Sequence, residues 1–478
     1  MKTQFRARAA VASLLPVAGT ASVLAFARAP ALALTLGLGL TAAAQGQCHV
    51  QTVDDAVGHR THMSQAFVAS SPNYYAPAAL YIKIYRRVGL ELVNDGAVYL
   101  PPSETPQNGV VTVQTDGDWL VAADEFVGPG RFNLWRRIDG SWIHQQTITP
   151  PPAKSLVIGV NAALDGERLL VAGSGWAGIY QLDDGAWVFE AELVNPEPEA
   201  LESFGYAVAL SGDRAVVSAP LASANAGRVH VYERDGNTWP LTKTLGLDQP
   251  ETPGPELGSQ LGLGGEVIVA ATIDGAHLFF GPDGAVKSIT ADDLPRGTTM
   301  GTFRSVAVNR EGTRLLIGAS SQSDPAGVNS GVGHLFTLQD GTPEYLDTLI
   351  SPAAGDYGYM GTSVSLAGDF AVLGGLDGAF HLFAGVLGND CTGSGQPDAC
   401  DIYHGEAADT NGNLVPDECE CPADLSGNEQ VDVMDLLALL GAWGACPDPG
   451  PCPADLNADG VVDVMDLLGL LAGWGACP

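Results

Sequence analysis

Positive charge is what this chain has least of. Its 478 residues hold 22 Lys and Arg against 55 Asp and Glu, a formal net charge of -33, and no Lys or Arg follows Arg314. Such a chain repels a phosphate backbone, so the composition argues against nucleic acid as a partner. Catalytic signatures are missing too: there is no Gly-x-Ser-x-Gly elbow, no phosphate loop and no His-Glu-x-x-His. The nine histidines are scattered, and His59 and His62 have no clustered acid beside them. The cysteines lack the Cys-x2-Cys pairs of a zinc site. No second long apolar run follows the one near the N-terminus. What is present is a chain that is 46% hydrophobic and long enough for two or three domains.

Lys2, Arg6 and Arg8 precede an Ala/Leu/Val stretch that closes on Ala42-Ala43-Ala44. This reads as a secretory signal over residues 1–44. The competing reading is a retained membrane anchor, since about 20 apolar residues can span a bilayer, although Arg28 splits the run. Export makes disulfides permissible, and all eight cysteines lie beyond the signal. The expected location is extracellular or the cell surface, with membrane contact only through an uncleaved signal.

Residues 421–478 are two copies of one unit, offset by 31 residues. Each opens Cys-Pro-Ala-Asp-Leu, continues into Leu-Leu-x-Leu-Leu and closes Trp-Gly-Ala-Cys-Pro. In the second copy Asp455, Asn457, Asp459, Asp463 and Asp466 take positions 1, 3, 5, 9 and 12 of a loop, with Gly460 at position 6 and Val461 at position 7 offering its carbonyl. That spacing suits calcium, a hard cation that takes six to eight oxygens from alternate residues of an EF-hand-type loop. The first copy has Asp424, Ser426, Asn428, Gln430, Asp432 and Asp435, but Glu429 stands where glycine is expected, so a weaker first site is predicted. The tandem of calcium loop plus single helix resembles a dockerin domain. The resemblance implies calcium as cofactor, a cohesin-type partner, and partner contacts at loop positions 10 and 11: Val433, Met434, Val464 and Met465. Many relatives carry Ser-Thr there, so the Val-Met pair leaves the cohesin type open. The alternative is that these four are core residues of a small calcium-stapled domain.

Each unit has Cys-Pro at both ends, which predicts Cys421–Cys446 and Cys452–Cys477 as disulfides, with Cys391–Cys400 as a third pair and Cys48 and Cys419 unassigned. At millimolar calcium a site with a dissociation constant of about 0.1–1 mM contributes only about 0.4–1.4 kcal/mol. A disulfide closing such a loop contributes roughly 3.5 kcal/mol by chain entropy. Disulfides are therefore expected to hold the fold while calcium shapes the surface.

Residues 389–420 form an acidic, hinge-like linker. Asp390, Ser394, Asp398 and Asp401, then Asp409, Asn411, Asn413, Asp417 and Glu420, repeat the 1, 3, 5, 9, 12 spacing. No apolar helix is evident behind them, so they resemble thrombospondin type 3 repeats, which implies a spacer stiffened by calcium. The alternative is a solvated linker.

From 49 to 388 the chain repeats every 45–55 residues, roughly the period of propeller blades. The clearest copy runs Phe204-Gly-Tyr-Ala-Val-Ala-Leu through Ala219-Pro220, then Arg228–Tyr232, with turns at Ser211-Gly-Asp213 and Asp235-Gly-Asn. Seven such copies are found, starting from a degraded one at residues 65–85. The phrase at Phe204–Pro220 resembles the FG-GAP repeat of integrin-type β-propellers, with weaker echoes at Met300-Gly and Tyr357–Gly361. The DxDxDG loops of that family are absent: Asp116-Gly-Asp118 and Ser211-Gly-Asp213 are too short to ligate. His230, His277, His334 and His381 recur at equivalent strand positions, marking a blade position rather than a site.

The expected fold is thus mainly β, a seven-bladed β-propeller followed by a small helical calcium-loop domain. The expected function is adhesion: a non-catalytic binding protein whose propeller recognises a glycan or protein ligand while the tail attaches to a cohesin-like domain or envelope protein. The alternative is an exported polysaccharide-degrading enzyme or lectin, which an acidic pair in the central funnel would favour.

Overall fold

The computed structural model describes residues 47–54, 60–72, 81–101, 107–126, 131–150, 161–173, 175–196, 203–247, 254, 256–272, 275–281, 284–290, 293–294, 303–323, 328–339, 341–352, 355–426, 428, 430–446, 452–457 and 459–477. The expected signal at 1–44 and the echo at Met300-Gly301 lie outside the described residues. Among the described residues no helix is long and apolar enough to cross a membrane.

Short apolar stretches separated by Gly/Asp turns form seven four-stranded antiparallel sheets. The first strand, β1 (Cys48–Asp54), stands apart from the regular order. Blade 1 is β2 (Arg60–Met63), β3 (Phe67–Ser71), β4 (Tyr81–Val88) and β5 (Glu91–Tyr99). Blade 2 is β6 (Gln107–Asp116), β7 (Trp119–Phe126), β8 (Arg131–Ile138) and β9 (Ser141–Ile148). Blade 3 is β10 (Asn161–Asp165), β11 (Arg168–Gly173), β12 (Trp176–Asp183) and β13 (Ala186–Glu192). Blade 4 is β14 (Val208–Ser211), β15 (Arg214–Ala219), β16 (Arg228–Glu233) and β17 (Leu241–Leu245), with a one-turn helix α1 (Ala222–Asn225) between its second and third strands. Blade 5 is β18 (Leu261–Gly264), β19 (Val267–Ala271), β20 (Ala276–Phe280) and β21 (Ala285–Ile289). Blade 6 is β22 (Phe303–Val308), β23 (Arg314–Ala319), β24 (Val332–Gln339) and β25 (Thr342–Leu349). Blade 7 is β26 (Ser363–Ala367), β27 (Phe370–Gly374) and β28 (Ala379–Ala384), and β1 completes it. Each innermost strand contacts the next, and β26 contacts β2, so the ring is closed. Radial repetition leaves only the short outer edge of each blade unpaired.

The core lies between blades. Trp119 and Val121 of blade 2 pack with Leu169, Val171 and Trp187 of blade 3, and the pattern repeats around the ring. In five blades the third strand slips one residue against the fourth, just before an aromatic residue: Tyr85, Trp135, Tyr180, Tyr232 or Phe336. Such bulges increase the local twist of an outer strand. The Phe-Gly of the repeat is a packing device. Gly205 enters blade 4 at φ 88°, and a Cβ there would lie 2.9 Å from the Trp176 carbonyl oxygen of blade 3. Gly258 and Gly361 (φ 94° and 87°), preceded by buried Leu257 and Met360, take the same place in blades 5 and 7, so the echo at Tyr357–Gly361 is structural.

The closing blade holds the main departure from expectation. β1 pairs antiparallel with β28, Cys48 opposite Ala384 and Asp54 opposite Ala379. Cys48 is bonded to Cys400, 352 residues away. Cys400 sits in α2 (Asp398–His404), which does follow the first acidic loop of the linker. Ala399 and Cys400 are buried in the core shared by blades 7 and 1. This end of the linker therefore packs against the propeller instead of standing as a free spacer. Cys391 pairs with Cys419, not with Cys400.

The C-terminal unit contains α3 (Val433–Gly441), α4 (Val464–Ala472) and four two-residue strands: β29 (Gln430–Val431), β30 (Gly444–Ala445), β31 (Val461–Val462) and β32 (Gly475–Ala476). β29 pairs with β32 and β30 with β31, so the end of each repeat crosses to the loop of the other. That crossing overturns the expected within-repeat disulfides. The bonds are Cys421–Cys477 and Cys446–Cys452, because each closing cysteine is delivered to the opening cysteine of the other repeat.

Candidate metal loops and an exposed apolar face

Four loops along residues 390–466 share one backbone wrap. In each, the carboxylate at position 1 accepts the N–H of position 5: Ser394 to Asp390 at 3.0 Å, and Asn413 to Asp409, Asn428 to Asp424 and Asp459 to Asp455, each at 3.1 Å. In three of them the other oxygen accepts from position 6: Gly395 at 3.0 Å, Leu414 at 2.9 Å and Gly460 at 2.8 Å. Position 6 has left-handed backbone there, at φ 88°, 70° and 91° respectively, which is why glycine suits it. Glu429, at this position of the remaining loop, lies outside the described residues.

Position 3 reaches position 12 in all four loops. Thr392 Oγ1 donates to Asp401 Oδ2 at 2.7 Å, and Asn411 Nδ2 to Glu420 Oε1 at 2.6 Å. Ser426 N–H donates to Asp435 Oδ1 at 2.8 Å, and Asn457 N–H to Asp466 Oδ1 at 3.2 Å. These bonds tie positions 1 and 5, and 3 and 12, of each loop together. Gln430 and Val461, at position 7, begin β29 and β31.

Helix capping orients the remaining carboxylates. Asp432 and Asp463 are the N-caps of α3 and α4, accepting from Met434 and Met465 N–H at 2.7 Å, while Asp435 and Asp466 accept the cap residues' own N–H groups. Those N–H bonds are the main reason that the carboxyls of Asp435 and Asp466 stay below the usual carboxylate range. Asp417 is lowered by the Thr410 hydroxyl and N–H. Asp398 differs: burial raises it first, and the charges of Asp390 and Asp401 add to that. Asp390, Asp398 and Asp401 place one oxygen each within 4.8 Å of one another. Asp401 is 1% exposed and its Oδ1 has no hydrogen-bond partner among the described residues. Hard oxygen donors with an orphaned buried oxygen among them suit a divalent cation.

Val433, Met434, Val464 and Met465 are 54–58% exposed, so they are not core of the C-terminal unit. They begin two matching stripes. Leu437, Leu440 and Trp443 continue the first, and Leu468, Leu471 and Trp474 the second, all exposed. The inward residues are Leu439 and Leu470, with Ala423, Val431, Ala454 and Val462. The Leu-Leu-x-Leu-Leu phrase carried this signal: at 3.6 residues per turn it cannot bury all four leucines on one face.

The innermost strands of the propeller line a central channel of about 440 Å³. Its lining includes Arg60, His62, Gln114, Asn161, Gln260 and several Ser and Thr hydroxyls, with no carboxylate among the described residues. Thr115 N–H donates to His62 Nδ1 at 3.2 Å, directing the imidazole's proton to Nε2. Trp119, Trp135, Trp176, Trp187 and Trp239 are buried in the blades.

Compared with known proteins, residues 187–232 match the family model described as FG-GAP repeat. No curated protein matches the sequence. Similar solved structures include the β-propeller domain of Cps50 (Swd1) from Myceliophteria thermophila, 13% identical, TM-score 0.49, covering 71% of this chain and 99% of that one. A protein from Lactobacillus plantarum is 16% identical, TM-score 0.44, covering 64% and 88%. Hsv2 from Kluyvelomyces marxianus is 11% identical, TM-score 0.41, covering 67% and 89%. Values this low support no functional argument. The matched segment runs from the outer strand of blade 3 through the third strand of blade 4 and contains Phe204–Pro220. The chain is therefore a seven-bladed β-propeller carrying an FG-GAP repeat, an architecture that fits a binding or recognition role.

Proposed function

We propose that this is a secreted or cell-surface adhesion protein without catalytic activity. Its propeller recognises a glycan or protein ligand, and its C-terminal unit, a dockerin-like module holding calcium in the loops at 424–435 and 455–466, attaches it to a cohesin-type domain or an envelope partner. The observation that carries this reading is the duplicated apolar face on α3 and α4, set immediately behind two loops of metal-binding spacing. Exposed apolar patches of this kind mark interaction surfaces. Calcium, when bound, would offset part of the charge of a segment that has 17 acidic residues and no Lys or Arg from Asp390 onward.

The test is binding of the full chain to a panel of immobilised cohesin domains, with calcium and with chelator. Met434→Asp or Met465→Asp alone should halve association, since either face can serve, and the two together should abolish it. Binding that survives chelator, or the double substitution, overturns the attachment reading.

A further inference from the structure

We propose that a divalent cation held by Asp390, Asp398 and Asp401 clasps the propeller ring shut. This rests on the cation-loop reading above and adds a coupling to it. The closing blade is completed by β1, an outer strand delivered from the opposite end of the chain and laddered to β28 alone. Blade 1 supports it through Gln51, which exchanges two hydrogen bonds with Leu92, and Thr52 bonds His381 of blade 7. Three further contacts come from α2. Cys400 is bonded to Cys48, the Tyr403 hydroxyl donates to the Val50 carbonyl oxygen at 3.0 Å, and Ala399 packs in the same core as Cys48 and Val50.

α2 has only seven residues, too few to stand alone in water. Its first turn carries Asp398 and Asp401, two carboxylates that are 7% and 1% exposed and share a 4.8 Å cluster with Asp390. No Lys or Arg follows Arg314 in the chain to neutralise them from nearby sequence. The Cys391 N–H and the Thr392 hydroxyl satisfy one oxygen each of Asp398 and Asp401, and the partnerless Oδ1 of Asp401 is the oxygen a hard cation would take. Loss of the cation loosens α2, and with it one of the supports of β1. Segment 390–404 thereby couples divalent ion concentration to propeller integrity.

Hydrogen exchange at the amides of Cys48–Asp54, measured on the full oxidised chain in calcium and in chelator, tests the clasp. With calcium at ten times its dissociation constant, exchange should slow about tenfold. Asp401→Asn, which keeps the shape of the side chain, should erase that difference, while Asp466→Asn in the C-terminal unit should leave it intact. Calorimetric titration of the same samples separates the two claims. Calcium heat that Asp401→Asn removes, with β1 exchange equal in calcium and chelator, overturns the clasp and leaves the cation loop standing. The absence of any such heat overturns both.

Discussion

His230, His277, His334 and His381 each direct Nδ1 to a hydroxyl on the next strand outward: Thr244, Ser288, Thr348 and Thr52, at 2.9–3.1 Å. Asn133 takes the same place in blade 2, its Oδ1 accepting from Thr147 at 2.9 Å. The recurrence is a ladder of polar pairs between strands three and four. In His334 the other nitrogen meets Gln322 Oε1 at 3.0 Å, so Nε2 donates and Nδ1 accepts from Thr348. Burial lowers His334 and His381 to about 4. A histidine whose folded value lies below its unfolded value contributes stability that is complete above pH 6.5 and is lost as pH falls toward 4. His334→Asn should keep the Thr348 bond and, in urea titrations, flatten that acid decline by about 2–3 kcal/mol. Asp369 has the opposite sign. Burial raises it to about 6, against the Leu387 N–H at 2.6 Å and Arg314. Its penalty is absent below pH 4 and complete above 6, so Asp369→Asn should stabilise the protein by about 1–2 kcal/mol at pH 7.5 and hardly at all at pH 4, read from thermal melts.

At the scale of the element, each acidic loop folds around its own first carboxylate before any cation is considered. Gly460 shows what that wrap demands. Its φ is 91° and nothing lies within 4 Å of a Cβ built there, so Gly460→Ala is a test of backbone strain alone. It should weaken calcium at the 455–466 loop by about 1 kcal/mol, roughly fivefold in affinity, without changing the other loops, as site-resolved calorimetry would show. Capping is the second element-level device. Asp463→Ala removes the acceptor for Met465 N–H and should cost α4 about 1 kcal/mol, measured as lost helical ellipticity on heating.

For the whole molecule the disulfides rank by the chain they enclose. Cys48–Cys400 spans 352 residues, Cys421–Cys477 spans 56 and Cys446–Cys452 spans 6. Chain entropy sets ceilings of about 6, 4 and 2 kcal/mol respectively. Cys48→Ser should therefore lower the stability of the propeller most, and Cys446→Ser least, in reversible denaturation under oxidising conditions. A reversed order would show that native packing already holds β1 and that the bond adds little.

Strand positions, the number of blades, the loop spacing and the helices behind the last two loops followed from neighbours within a dozen residues, where turn chemistry, alternation and capping act. Even the histidine recurrence was legible as a blade position, because the repeat placed each one on the same strand. Three features had no local signature. β1 joins blade 7 across more than 300 residues, Cys400 pairs with Cys48 instead of its near neighbour Cys391, and the closing cysteine of each repeat crosses to the other repeat. Such partners are chosen by which surfaces packing brings together. A cysteine's spacing along the chain is blind to that choice, and only the closed ring and the crossed pair of helices reveal it.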